Sequence, residues 1–190
     1  MNRSTLTDLI TKLNSLLGIN NAKVIGGSAL STYLGLDLGS KDIDIYVNLP
    51  ADFVELRLLR HNMECLKPEF EAGLYSRKGS KYPRFLNNID DVLSVKYGDN
   101  QVDIVCLTGY EDDGFPNFDL NICKVAYDGT NFIVSPQALA DINNQTLTYN
   151  LTHLLKHQKS RMQARLEKYQ RRFPDYTVVI IGEENVKESN

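Results

Sequence analysis

Cysteine is scarce in this 190-residue chain, which contains only Cys65, Cys106 and Cys123. Their number is odd, they are widely spaced, and none belongs to a CxxC pattern, which argues against a disulfide framework and against a zinc site. The three histidines show no metal-ligand spacing either. We therefore expect reduced thiols in a cytosol-like compartment, with Cys106 and Cys123 in the core.

Long apolar runs, targeting signals and a strong charge bias are also lacking. No run approaches the roughly 20 residues that span a bilayer, and the N-terminus resembles no signal peptide. The formal net charge is only −3, so a surface that binds nucleic acid would have to be local. These features predict a soluble, cytoplasmic globular protein with no membrane partner.

Helical and extended patterns alternate along the chain and predict an α/β (α+β) fold with a mixed sheet flanked by helices. Thr5 and Asp8 resemble a capping box for the first helix, and Gly18 is placed to end it. The other expected elements are strands at 23–25, 42–49, 92–97, 102–107, 118–127 and 132–134, and helices at 28–36, 52–65, from Pro136, and at 151–172. Residues 66–91 are expected to be mostly loop.

The chain is expected to divide into three parts. Residues 1–142 form the catalytic core, 143–176 a basic amphipathic helical extension packed on it, and 177–190 a partly disordered tail.

Gly26 and Gly27 follow the first strand, with Ser28 at the start of a helix. Two glycines let the backbone approach a phosphate closely, and a helix N-terminus supplies free N–H groups. We expect Gly26, Gly27 and Ser28 to contact a phosphate; an N-cap role for Ser28 is the compatible alternative.

Three aspartates lie in predicted strands. Asp42 and Asp44 project from one face about 7 Å apart, and they repel each other unless a cation lies between them. Asp103 interrupts an apolar strand, where an ionised side chain is costly unless it is paired. Carboxylate oxygens suit Mg2+, and three converging carboxylates suit in-line phosphoryl displacement. The alternative is a solvated strand face and a hairpin edge, but the nearby glycine turn favours a metal site.

These motifs resemble the signature of the DNA polymerase β-like nucleotidyltransferase superfamily, especially its tRNA CCA-adding and poly(A) polymerase branch. The residues that carry the resemblance are the Gly26-Gly27-Ser28 turn, a short helix ending at Leu34-Gly35, and Lys41-Asp42-Ile43-Asp44. Segments within 118–129 and 165–173 look like the extended core of viral and phage members. The resemblance implies that Asp42, Asp44 and Asp103 bind Mg2+ or Mn2+, with Asp103 nearest the attacking hydroxyl. It also implies that Gly27 and Ser28 contact the triphosphate of an NTP.

Basic residues line the last predicted helix. At about 100° per residue they share one stripe beside an apolar face, and they are His157, Arg161, Arg165, Lys168 and Arg172. A surface helix with a solvated basic side is the simpler interpretation. Because no acidic residue interrupts the stripe, we expect Arg161, Arg165 and Lys168 to bind nucleotide phosphates or an RNA backbone.

Together these features predict a Mg2+-dependent nucleotidyltransferase that moves an NMP from ATP or CTP to an RNA 3′ end, tRNA in particular, with release of pyrophosphate. Where the CCA-adding pattern has an Arg-Asp pair after the glycines, this chain has Leu30 and Ser31. Two alternatives therefore stay open. One is the same chemistry on a protein side chain or small molecule, as in a toxin-like or modifying enzyme. The other is a non-catalytic nucleotide- or RNA-binding module such as an antitoxin.

Overall fold

The structure, a computed structural model, describes residues 2–39, 42–48, 50, 53–65, 71–77, 89–107, 114–115, 118–151 and 159–182. Within these ranges the helices are α1 (Arg3–Leu17), α2 (Gly27–Leu34), α3 (Phe53–Cys65), α4 (Pro136–Asn144) and α5 (Lys159–Arg172). The strands are β1 (Lys23–Ile25), β2 (Asp42–Asn48), β3 (Glu71–Arg77), β4 (Ile89–Tyr97), β5 (Asn100–Leu107), β6 (Val125–Tyr127), β7 (Phe132–Val134), β8 (Thr146–Asn150) and β9 (Thr177–Ile181).

Seven of the strands form one sheet in the order β3-β4-β5-β2-β1-β6-β7, and β8 and β9 form a separate parallel pair. In the large sheet β2 and β5 are parallel, and the other neighbouring strands are antiparallel. The mixed α+β class expected from the sequence is confirmed. No helix in the described part of the chain is long and apolar enough to cross a bilayer.

One face of the sheet carries the main core. Alternate residues of β2 point to this face, so that Ile43 and Ile45 are completely buried. Helix α1 covers the core with apolar residues at helical spacing, of which Leu6, Leu9 and Leu13 are also completely buried. Each such side chain contributes about 1.5–3 kcal/mol relative to an exposed one. This packing holds β2 rigidly between its neighbours.

The other face carries a smaller apolar cluster and the acidic residues. Tyr46 of β2 and Val105 of β5 are buried there with Phe115. Since successive side chains alternate between faces, Asp44 and Asp103 lie on this same face, next to the cluster. The sheet therefore separates the main core from the carboxylates.

Local structure departs from the sequence-based expectation at several places. The N-cap of α1 is Asn2, whose side chain accepts a hydrogen bond from the Thr5 N–H, so the capping box expected at Thr5 is wrong. Gly18 ends the helix in a left-handed conformation, as expected. The expected loop at 66–91 contains β3 and the start of β4. Residues 121–123 of the expected strand at 118–127 form a 3-10 helix.

The C-terminal part is less purely helical than expected. Residues 177–181, expected to begin the tail, form β9 and pair with β8, because long-range pairing rather than local pattern decides their conformation. Of the helix expected at 151–172, residues 159–172 form α5, residue 151 is not helical, and 152–158 lie outside the described residues. α5 packs on the main core through the buried side chains of Leu166 and Tyr169, and Phe173, the residue after the helix, is buried in the same core.

Candidate active site

The glycine turn joins β1 to α2. Gly26 has φ +94° and ψ −141°, a conformation that only glycine adopts without strain, and its N–H donates to the Val125 carbonyl oxygen at 3.0 Å. The first intrahelical bond runs from the Leu30 N–H to the Gly26 carbonyl oxygen at 2.9 Å. The backbone N–H groups before Leu30 thus lie at the N-terminus of α2, where the helix dipole favours anions.

Ser28 connects this turn to the acidic strand. Gly26 is the N-cap of α2 and no side chain caps the helix, so the N-cap role expected as an alternative for Ser28 is wrong. The buried Ser28 hydroxyl donates instead to the backbone carbonyl oxygen of Asp42 at 2.7 Å. Because β1 and β2 are antiparallel, the end of β1 that leads into the turn lies beside the beginning of β2, where Asp42 and Asp44 lie.

Two of the three predicted carboxylates lie on neighbouring strands at the same level. Asp44 of β2 and Asp103 of β5 are paired in register in the parallel ladder, and neighbouring strands are about 4.8 Å apart. Asp42 lies two residues before Asp44 on the same face of β2, and it is paired with Gln101 of β5. Exposure falls along the set: Asp42 is exposed, Asp44 is half-buried and Asp103 is only 2% exposed.

Two residues that the sequence analysis missed hold the carboxylate of Asp103. The Ser94 hydroxyl donates to its Oδ1 at 2.5 Å, and the Gln101 side-chain amide donates to the same oxygen at 3.1 Å. Gln101 lies two residues before Asp103, a spacing that could have indicated it. Ser94 lies on β4, and only the strand register brings it opposite Asp103.

We tested whether these residues suit a divalent cation. Their donors are carboxylate oxygens, the ligand type that Mg2+ and Mn2+ prefer, and the register of Asp44 with Asp103 gives a close pair of like charges. Among the described residues, however, no group of three His, Cys, Asp or Glu side chains is arranged to hold a metal ion as it stands. The donor chemistry fits such a cation, and Asp44 and Asp103 would lie at the centre of its site. The complete set of three ligands stays a prediction.

Helix α5 brings positive charge to the carboxylates. Burial lowers the pKa of Lys168 and the neighbouring Arg172 lowers it further, whereas Asp42 and Asp44 act in the opposite direction. Lys168 therefore lies within electrostatic range of both aspartates. The predicted phosphate contact itself stays a prediction.

The other predicted members of the basic stripe have different surroundings. Arg165 forms an ion pair with the buried Asp119 at 3.1 Å and lies 3.7 Å from the Cys123 sulfur. Its guanidinium also lies over the ring of Phe118, 5.8 Å from the ring centre. The structure thus gives Arg165 partners within the protein, and Asp119 is one of them. The side chain of Arg161 lies outside the described part of the chain.

Comparison with known proteins gives matches only among solved structures. No protein-family model and no curated protein sequence matches the chain. The structure is similar to the Thermotoga maritima CCA-adding enzyme complexed with tRNA, with a TM-score of 0.56 and 17% identity over 94% of this chain. It is also similar to a CCA-adding enzyme in complex with ATP, with a TM-score of 0.52 and 16% identity, and in complex with CTP, with a TM-score of 0.50 and 17% identity; each match covers 92% of this chain.

The chain corresponds to a part of these larger enzymes. It covers 39%, 38% and 40% of the three solved chains, in the order given above. At such low identity the likeness concerns the fold alone. The chain therefore has the fold of these CCA-adding enzymes, which is the fold that the resemblance in its sequence implied.

Proposed function

We propose that this protein transfers a nucleoside monophosphate from ATP or CTP to a hydroxyl at the 3′ end of an RNA, tRNA in particular, and releases pyrophosphate. The observation that carries the proposal is the in-register pair of Asp44 and Asp103 beside the glycine turn at the N-terminus of α2. The matched structures with tRNA, ATP and CTP support this choice of substrates.

The glycine turn would bind the triphosphate. Gly26 and Gly27 place no side chain between the backbone and a ligand, and the N-terminus of α2 favours the negative charge of phosphate oxygens. The Ser28 hydroxyl donates to the Asp42 carbonyl oxygen, so we assign the phosphate to the backbone of the turn at Gly26, Gly27 and Ser28. Lys168 would add positive charge on the α5 side, where it balances the negative charge of the nucleotide.

The three aspartates would hold a divalent cation, Mg2+ or Mn2+. Asp42, Asp44 and Asp103 are the residues for this role, and the bound cation would supply charge neutralisation at the reacting phosphate. The aspartates fix where that charge lies, and the sheet beneath them keeps the positions of Asp44 and Asp103 constant. A rigid arrangement is needed because displacements of about 1 Å can cost roughly 100-fold in rate.

A labelling assay tests the proposal. The purified full chain is mixed with α-labelled ATP or CTP, Mg2+ and a cell extract that contains total RNA, and the label is followed in RNA, protein and small-molecule fractions. We expect label in RNA, and no label when EDTA is present during the reaction. Asp44→Ala should reduce labelling about 100-fold or more, since several kcal/mol of charge stabilisation are lost. Asp99→Ala, which changes an exposed aspartate in the β4–β5 turn, is the matched control and should label normally.

Other outcomes of the assay would contradict the RNA acceptor. Label in protein bands or in a small-molecule fraction would favour a modifying enzyme with the same chemistry. Metal-dependent NTP binding without label in any fraction would favour a non-catalytic binding module. Equal labelling by Asp44→Ala and the unmodified protein would remove the proposed site altogether.

A further inference from the structure

We propose that Ser94 and Gln101 are positioning residues for Asp103 and that they raise the affinity of the site for a divalent cation. This inference rests on the proposed function, because it concerns the same site. Both residues donate to one carboxylate oxygen, Oδ1 of Asp103, from Ser94 at 2.5 Å and from Gln101 at 3.1 Å. Two donors to the same oxygen fix the side-chain rotamer and the orientation of the carboxylate group.

The strand register explains why Ser94 is the more important of the two. Asp103 is paired with Ser94 of β4 on one side and with Asp44 of β2 on the other. Ser94 therefore holds the carboxylate from the side opposite to Asp44. Without a cation the two carboxylates repel each other, and a donor on the far side keeps Asp103 in one place despite this repulsion.

Burial makes the two hydrogen bonds costly to lose. Asp103 is 2% exposed, so water cannot simply replace the Ser94 hydroxyl or the Gln101 amide. Loss of either donor would leave the orientation of the carboxylate less restricted, and a cation would have to reorder it on binding. Hydrogen-bond partners of metal ligands typically change metal affinity about 10–100-fold when they are removed.

Direct measurement of metal binding tests this inference independently of catalysis. The affinity of the full chain for Mn2+ alone is measured by electron paramagnetic resonance for the unmodified protein and for Ser94→Ala, Ser94→Thr, Gln101→Ala and Ser31→Ala. We expect Ser94→Ala to weaken Mn2+ binding about 10-fold or more and Gln101→Ala to weaken it less. Ser94→Thr keeps the hydroxyl and should bind nearly normally, as should Ser31→Ala, which removes a buried serine hydroxyl elsewhere. In the labelling assay, the Mg2+ concentration for half-maximal labelling should rise in the same order.

The results separate this inference from the function on which it rests. If the unmodified protein labels RNA but Ser94→Ala changes neither Mn2+ affinity nor the half-maximal Mg2+ concentration, the positioning role is wrong and the proposed function stands. If the unmodified protein neither binds Mn2+ nor labels any acceptor, the proposed function fails, and this inference fails with it. Circular dichroism in EDTA shows whether each variant is folded; should Ser94→Ala not fold, equal affinities for Gln101→Ala and the unmodified protein would overturn the inference.

Discussion

The hydroxyl of Ser28 donates to the backbone carbonyl oxygen of Asp42 at 2.7 Å, and this bond ties the first turn of α2 to the first residue of β2. Ser28 belongs to the turn that is expected to bind the phosphates of the nucleotide, and Asp42 belongs to the strand that is expected to bind the metal ion. A hydrogen bond between them fixes the distance from the glycine turn to the acidic strand. The turn and the strand therefore act as one rigid unit.

Loss of the Ser28 hydroxyl should impair function more than stability. Ser28→Ala removes one buried hydrogen bond and should lower the free energy of unfolding by about 1 kcal/mol, as measured by urea denaturation. RNA labelling should fall as well, because the hydrogen bond that fixes the turn against Asp42 of β2 is lost. Ser31→Ala is the control one turn further along α2, where the serine donates to the Leu36 carbonyl oxygen beyond the end of the helix. A similar loss of labelling in both variants would contradict the prediction.

A side chain at Gly26 should disturb the phosphate turn. Gly26→Ala forces an L-residue into a glycine-only conformation, which costs about 1–3 kcal/mol, and the new Cβ would lie 3.9 Å from the ring of Phe118. We expect weaker ATP binding in equilibrium dialysis together with lower stability. Gly35→Ala also replaces a glycine with positive φ, but at the far end of α2. It should reduce stability alone, and unchanged ATP binding by Gly26→Ala would argue against the turn as the phosphate site.

The charge of Lys168 should contribute to NTP binding. Lys168→Gln removes a cation within electrostatic range of Asp42 and Asp44, and the KM for the NTP should rise several-fold in the labelling assay. The effect should shrink at high salt, since screening weakens interactions between exposed charges. Arg171→Gln makes the same change of charge at an exposed position three residues along α5. If both variants raised the KM for the NTP equally, the increase would come from the lost positive charge in general and not from the position of Lys168.

The ion pair of Arg165 with Asp119 should have a structural role. Arg165→Met and Asp119→Asn, alone and together, form a double-mutant cycle whose coupling free energy we expect to be about 1–2 kcal/mol, because Asp119 is buried but the Arg165 side chain is 34% exposed. Thermal and urea unfolding give the free energies. A coupling free energy near zero would contradict the structural role of Arg165 and favour its predicted role as a phosphate ligand.

The protein should lose stability at alkaline pH. Burial raises the pKa of the Cys123 thiol and of the Tyr149 and Tyr169 hydroxyls, so these groups stay neutral in the folded state while they ionise in the unfolded chain. Their stabilising effect is complete below about pH 8.5 and is lost as the pH rises above the ordinary values of about 8.5 for cysteine and 10 for tyrosine. Melting temperatures measured from pH 7 to 11 should fall above pH 8.5. The fall should be smaller in Tyr169→Phe, and a flat profile would contradict the assignment.

Much of the local structure follows from local sequence. Gly18 ends α1 as its position predicts, and Ser135 caps α4 with its side chain and is followed by Pro136 at the start of the helix. The hairpin of β4 and β5 follows from its short turn at Gly98. These features depend on hydrogen bonds and backbone conformations within a few residues, which a linear pattern records directly. The strands β8 and β9 were missed because each is stabilised by a partner that is distant in sequence.

The candidate site also combines features that follow from local sequence with features that depend on distant parts of the chain. Local sequence is enough to predict that Asp42 and Asp44 share one face of a strand and that a glycine turn precedes a helix, because side-chain alternation and glycine conformations are local properties. The pairing of Asp44 with Asp103, the bond from Ser94 to Asp103 and the ion pair of Arg165 with Asp119 are properties of the folded chain. Strand register and helix orientation depend on the packing of the whole core, to which residues from the entire chain contribute.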